Sequence, residues 1–160
     1  MALSKIDGTN FIEGTVPSTV APGAGKILQV LHMSYNTNLS VANDTGNGTA
    51  SGLTLNITPA STLSKILILP NINSNSPANG RGYGIKILRD STVIYTTGYP
   101  WLDLGNLLNE RKRSDWQYLD SPSSTSEITY SINILSEGGN AFTIHADGNH
   151  SFLTLMEVAG

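Results

Sequence analysis

With 160 residues, 39% of them hydrophobic, and a formal net charge of -3, the chain is long enough to enclose one core and carries no field that would gather nucleic acid or an anionic membrane. Charged residues make up 13% of it, against a usual share of roughly 25%, so its surface must be mostly Ser, Thr, Asn and Gly. The absence of cysteine excludes disulfides, thiol catalysis and thiolate metal sites.

The opening MALSKIDGTN lacks the basic patch and apolar core of a signal peptide. No apolar run approaches the roughly 20 residues of a membrane helix. The expectation is a soluble product made in the cytoplasm, with no membrane partner. Residues 8 to 25, GTNFIEGTVPSTVAPGAG, mix apolar side chains with glycines and prolines that oppose helix and sheet. Apolar residues at these spacings let an extended chain press into successive pockets of a partner. Pro17 and Pro22 reduce the entropy lost on docking. Residues 1–25 are therefore expected to form an attachment arm whose contacts are Ile6, Phe11, Ile12, Val16, Pro17, Val20 and Pro22, leaving 26–160 as the folded head.

Beyond Gly25 short apolar runs alternate with period two between clusters of Gly, Asn, Ser, Asp and Pro, which is the pattern of strands and turns. KILQVLHMS (26–34) is the first expected strand, and LTLNITP (53–59) is the second, with one dry face and one wet face. SKILILP (64–70) is apolar throughout, so it is expected to be central, covered on both sides and ended by Pro70. GYGIKILRDSTVIYTTG (82–98) reads as two strands joined at Arg89-Asp90-Ser91-Thr92, and Trp116 to Asp120 as a short strand. EITYSINILS, AFTIHA and SFLTLMEV complete the set. Gly138-Gly139-Asn140 and Asp147-Gly148-Asn149 between them suit tight hairpin turns. Residues 35–52, 71–81 and 98–115 are left as long loops, the last with a helical turn in LGNLLNERKRSD. About eight strands with long connections predict an all-β fold, a jelly-roll-like antiparallel β-sandwich in preference to an up-and-down barrel.

Candidate sites are few. HADGNH places His145 and Asp147 two apart, on one face if both lie on a strand, with His150 across the turn. Asp-Gly-Asn is also what a turn requires, and no metal or other cofactor is expected. Arg111, Lys112 and Arg113 in ERKRSD could meet phosphate or an acidic surface, but Glu110 and Asp115 bracket them, and a solvated loop or intersubunit ion pair is the expectation. GRGYG (80–84) leads into a strand and offers no helix N-terminus to a phosphate. Tyr99, Trp101, Trp116 and Tyr118 could stack on sugar rings, cap the end of the sandwich or pack on a neighbouring subunit. No nucleophile elbow, triad or paired carboxylates point to an enzyme.

GKILQV, ITPASTLSKILIL, ILRDSTVIY, YLDSPSSTSEITYSINI and HSFLTLMEV, in this order and spacing, resemble a small β-sandwich module of tailed-phage virion proteins. The leader LSKIDGTNFIEGTV resembles the one that often precedes that module. The resemblance implies a jelly-roll-like head that assembles as a homotrimer on the virion surface, and it brings no catalytic residues. Because some 25 residues before the head provide no shaft, the expected role is a capsid decoration, or cement, protein bound to the major capsid protein or another virion protein. The alternatives are a short tail-fibre or receptor-binding tip that contacts host surface glycans, and a free carbohydrate-binding module.

Overall fold

The computed structural model describes residues 25–41, 44–76, 82–98, 102–103, 110–136 and 142–160. The expected arm, apart from Gly25, lies outside them, as do Tyr99 and Trp101. Period-two alternation becomes twelve strands among the described residues: β1 (Ile27–Tyr35), β2 (Leu39–Val41), β3 (Asp44–Ile57), β4 (Lys65–Ser76), β5 (Gly82–Arg89), β6 (Thr92–Thr96), β7 (Leu102–Asp103), β8 (Glu110–Asp115), β9 (Tyr118–Asp120), β10 (Ile128–Ser136), β11 (Phe142–Ile144) and β12 (Ser151–Val158).

Several of these are halves of one interrupted strand. Along β4, Lys65 to Asn71 pairs with β12 and Ser74 and Asn75 pair with β11. On its other side, Asn71 to Ser76 pairs with β8 and Ile66 to Ile68 with β9. β1 then pairs with β12 and β2 with β11. The first sheet thus runs β1/β2, β11/β12, β4, β8/β9. The second runs β3, β10, β5, β6, with β7 pairing β5 beyond the end of β6. All pairings are antiparallel, and of the connections between these composite strands only the β5–β6 hairpin stays within its sheet. This is the jelly-roll β-sandwich that the alternation and the long connections predicted.

Isoleucine dominates the core, from Ile57 and Ile66 through Ile85, Ile87, Ile132 and Ile134 to Ile144, with the large rings of Tyr83 and Tyr130 fully buried among them. β-Branched side chains suit the crowded pleated faces of two packed sheets. Polar ties cross the same gap. Tyr83 and Ser114 share a hydrogen bond of 2.6 Å, the Tyr130 hydroxyl donates to Asp120 Oδ2 at 2.6 Å, and Arg89 pairs with Asp120 at 3.1 Å. Burial raises the pKa of both tyrosines, and Asp120 raises that of Tyr130 further.

Four local expectations are corrected. Pro70 does not end its strand, which continues to Ser76. Its carbonyl accepts from Trp116 N on the β8/β9 side, at the break between those two strands, where a missing N–H forfeits no ladder bond. Residues 35–52 are not one loop, since β2 and the first half of β3 lie there. DTGNGTASG is a poor strand sequence held by pairing with β10, with register shifts near Gly48 and Gly52 that positive φ accommodates. ERKRSD is neither loop nor helical turn but β8, the partner of NINSNS. The last two separators are not hairpin turns. β10 and β11 lie in different sheets, and Ala146–Gly148 is a 3-10 turn inside the β11/β12 interruption.

Candidate functional site

The outer faces of the two sheets differ in kind. On the second sheet the outward residues of β3 and β10 are Thr54, Asn56, Thr129, Ser131 and Asn133, with Thr129 donating to Asn56 Oδ1 at 2.9 Å. On the first sheet the inward residues Leu155, Ile66 and Ile68 are fully buried, and their sequence neighbours face out. Apart from Lys65 and Thr154, those neighbours are also apolar. Val30 pairs with Met156, Met156 with Leu67 and Leu67 with Leu119, so one apolar row crosses all four strands. Leu28, Leu69 and Val158 widen it. Val30 is 52% exposed and Leu119 48%, at the two edges of the sheet, while Met156 and Leu67 between them are half-buried. Scattered exposed leucines are normal, but a contiguous row of this width marks an interaction surface.

Further along the same face the character changes. Phe152, one pleat beyond Thr154, has the His32 ring stacked at 5.5 Å, the His150 ring at 6.2 Å and the Arg113 guanidinium 5.3 Å from its centroid. Arg113 Nε also donates to Asn71 Oδ1 at 2.8 Å, and Asn71 in turn donates to Asp115. Beside this cluster lies a polar groove of about 310 Å³, lined by Asn73, Arg111, Lys112, Arg113 and Asn149 among others. Arg111 reaches across the groove's rim to Asp147 at 2.6 Å, an exposed pair. The face is therefore apolar near Gly25 and the C-terminal end of β12, and polar with cations near the 3-10 turn.

The arrangement of His145, Asp147 and His150 on one face, which the spacing of HADGNH allows, does not form. His145, at φ 55, and Asp147, at φ 58, sit at the 3-10 turn and not on a strand, so their side chains part. His145 is fully buried, donates from Nε2 to the Ser51 carbonyl at 2.8 Å and meets the Tyr35 ring edge-on at 5.1 Å. Its Nδ1 has no hydrogen-bond partner, and burial lowers its pKa despite the Ser51 bond, which favours the neutral ring. Asp147 is committed to Arg111, and His150 lies against Phe152. No group of three or more His, Cys, Asp or Glu among the described residues is arranged to hold a metal.

Of the four aromatics singled out, Trp116 and Tyr118 are half-buried and packed on the core. Trp116 meets Tyr83 edge-on at 5.7 Å, and Tyr118 lies 5.2 Å from Tyr95. The residues that build the apolar row went unmarked as a site, although the signal was present. KILQVL and SKILIL are apolar in both phases of the alternation, which a strand with one wet face has no reason to be.

No protein-family model matches the chain, and no curated protein does. Among solved structures it is similar to the infectious bursal disease virus VP2 subviral particle, with a TM-score of 0.54 and 13% identity over 82% of this chain and 33% of that one. It is also similar to the structure of the Gx strain of infectious bursal disease virus, with a TM-score of 0.52 and 12% identity over 86% of this chain and 33% of that one. The chain spans about a third of the length of these two chains. At such identities the likeness is one of fold: the chain is built on a jelly-roll β-sandwich that is also found in virus particle proteins.

Proposed function

We propose that the protein is a structural component of a tailed-phage virion, a homotrimeric decoration protein that binds the outer surface of the capsid, with residues 1–25 as an arm that grips the shell or a sister subunit and residues 26–160 as its head. The observation that carries this reading is the apolar row from Val30 to Leu119 on one outer face of a jelly roll whose other outer face is polar along β3 and β10. Such a face belongs against protein. A likeness of fold to virus particle proteins and the phage-type sequence resemblance agree with that placement.

Copy number and location on the particle test the reading. A decoration protein is present in hundreds of copies, lies on the capsid in cryo-electron micrographs and binds expanded, DNA-free heads. A dozen or so copies confined to the tail would overturn it.

A second reading, a short tail-fibre tip that contacts host glycans, draws on the polar groove between Asn73, Arg113 and Asn149 and on the exposed edges of Trp116 and Tyr118. Glycan-array binding lost on Trp116→Ala would favour it.

A further inference from the structure

We infer that the apolar row on the first sheet is the seat of residues 1–24 from a second copy of this chain, so that the copies of the proposed oligomer are joined by exchanged N-terminal segments. The inference rests on the self-association part of the proposed function, and it names the surface and the occupant.

The face needs a cover. β4 is apolar in both phases, yet the sandwich covers one phase alone. Ile66 and Ile68 are fully buried, while Leu67 is half-buried in a row whose ends, Val30 and Leu119, stand about half exposed. Twenty-four residues precede Gly25, and they carry Phe11, Ile12, Val16 and Val20. The place where that segment joins the head is known. Gly25 N donates to the Ala159 carbonyl at 2.8 Å and Ala159 N donates to the Lys26 carbonyl at 2.8 Å, which sets Gly25 at the corner of the row, next to Leu28 and Val158.

Reach decides between the chain's own segment and another copy's. The row crosses three strand spacings of about 4.8 Å, roughly 14 Å in all. Pro17 and Pro22 favour an extended path that advances about 3.1 Å per residue. On such a path Val20 would reach about 15 Å from Gly25, the far edge of the face, and Val16, Ile12 and Phe11 about 28 to 43 Å, beyond it. The stretch between Val20 and Gly25 is Ala, Pro, Gly and Ala, which suits a crossing link better than an anchor. On that path Val16, Ile12, Phe11 and, before them, Ile6 would meet a neighbour.

The test uses full-length variants, studied alone by size-exclusion chromatography with light scattering and by native mass spectrometry at micromolar concentration. In one, Phe11→Asp, Ile12→Asp and Val16→Asp disable the segment; in the other, Val30→Lys and Leu119→Lys disable the face at two exposed positions. The wild type should be an oligomer and each variant a monomer, with circular dichroism reporting an unchanged fold. An equimolar mixture should form a heterodimer, since one variant keeps its segment and the other its face. A monomeric wild type, an oligomer in either variant, or a mixture that stays monomeric would each overturn the inference, the last by showing that the segment serves its own chain or another partner. Particle binding is scored separately, so an oligomer that leaves capsids bare refutes the decoration role and not the exchange.

Discussion

The Tyr130 hydroxyl, on the second sheet, donates a 2.6 Å hydrogen bond to Asp120 Oδ2 on the first, and Arg89 Nη1 donates to that same oxygen at 3.1 Å and to Oδ1 at 3.3 Å. This three-residue tie fixes how the sheets sit, and its parts are unequal. Tyr130→Phe removes one donor and leaves Asp120 paired, so it should cost about 1–2 kcal/mol in urea denaturation. Asp120→Ala strands a buried hydroxyl and a half-buried guanidinium together and should cost roughly 2–4 kcal/mol. Equal costs would show that the tie is not a network.

Glu157 is fully buried between β1 and the 58–64 connection, where it accepts from Gln29 Nε2 at 2.7 Å and from the Ala60 N–H at 2.7 Å. Burial alone would raise its pKa. The Ser64 hydroxyl beside it, Gln29 and the Ala60 amide more than offset that and hold it below the usual carboxylate range. A carboxylate whose folded pKa is depressed stabilises fully above its unfolded value, about 4.3, and loses that contribution as the pH falls through the folded value. The wild type should lose stability below about pH 5, and Glu157→Gln should be less stable at pH 7 by about 1–3 kcal/mol with a flatter acid limb.

His145 titrates in a higher window. Its folded pKa lies below the ordinary value of 6.5 because burial disfavours the cation, so the unfolded chain binds the proton first and stability rises with pH through that region. Thermal midpoints measured between pH 5 and 8 should fall on the acid side, and in His145→Phe this slope should disappear. A slope unchanged in the variant would assign it to other groups.

Adjacent residues on β4 should respond very differently to truncation. Ile68→Ala opens a cavity in the core and should cost roughly 2–5 kcal/mol. Leu67→Ala, on the outer face, should cost the isolated chain less than about 1.5 kcal/mol. Comparable losses at both sites would mean that Leu67 is as covered as the core.

Gly52 is held at φ +83 under the Tyr35 ring, and a Cβ there would come within 2.9 Å of Tyr35 Cζ. Gly52→Ala should therefore cost about 1–3 kcal/mol from backbone strain and crowding. Adding Tyr35→Ala should recover only part of it, because the backbone angle stays unfavourable whatever lies above.

The sequence by itself determined the fold class, because alternation with period two and the turn residues between runs are local properties, and it placed β1, β5, β6, β10 and β12 to within a few residues and the start of β4, though not its end. It also marked β4 as apolar in both phases. Only the tertiary structure decided the rest, since the deciding partners are remote along the chain. NINSNS and ERKRSD look like loops until each becomes the other's ladder partner, and DTGNGTASG is a strand because β10 lies beside it. His145 and Asp147 seemed to share a face until positive φ at both turned them apart. The row from Val30 to Leu119 exists only because pairing brings four distant segments into register, leaving outside a set of side chains whose chemistry belongs inside.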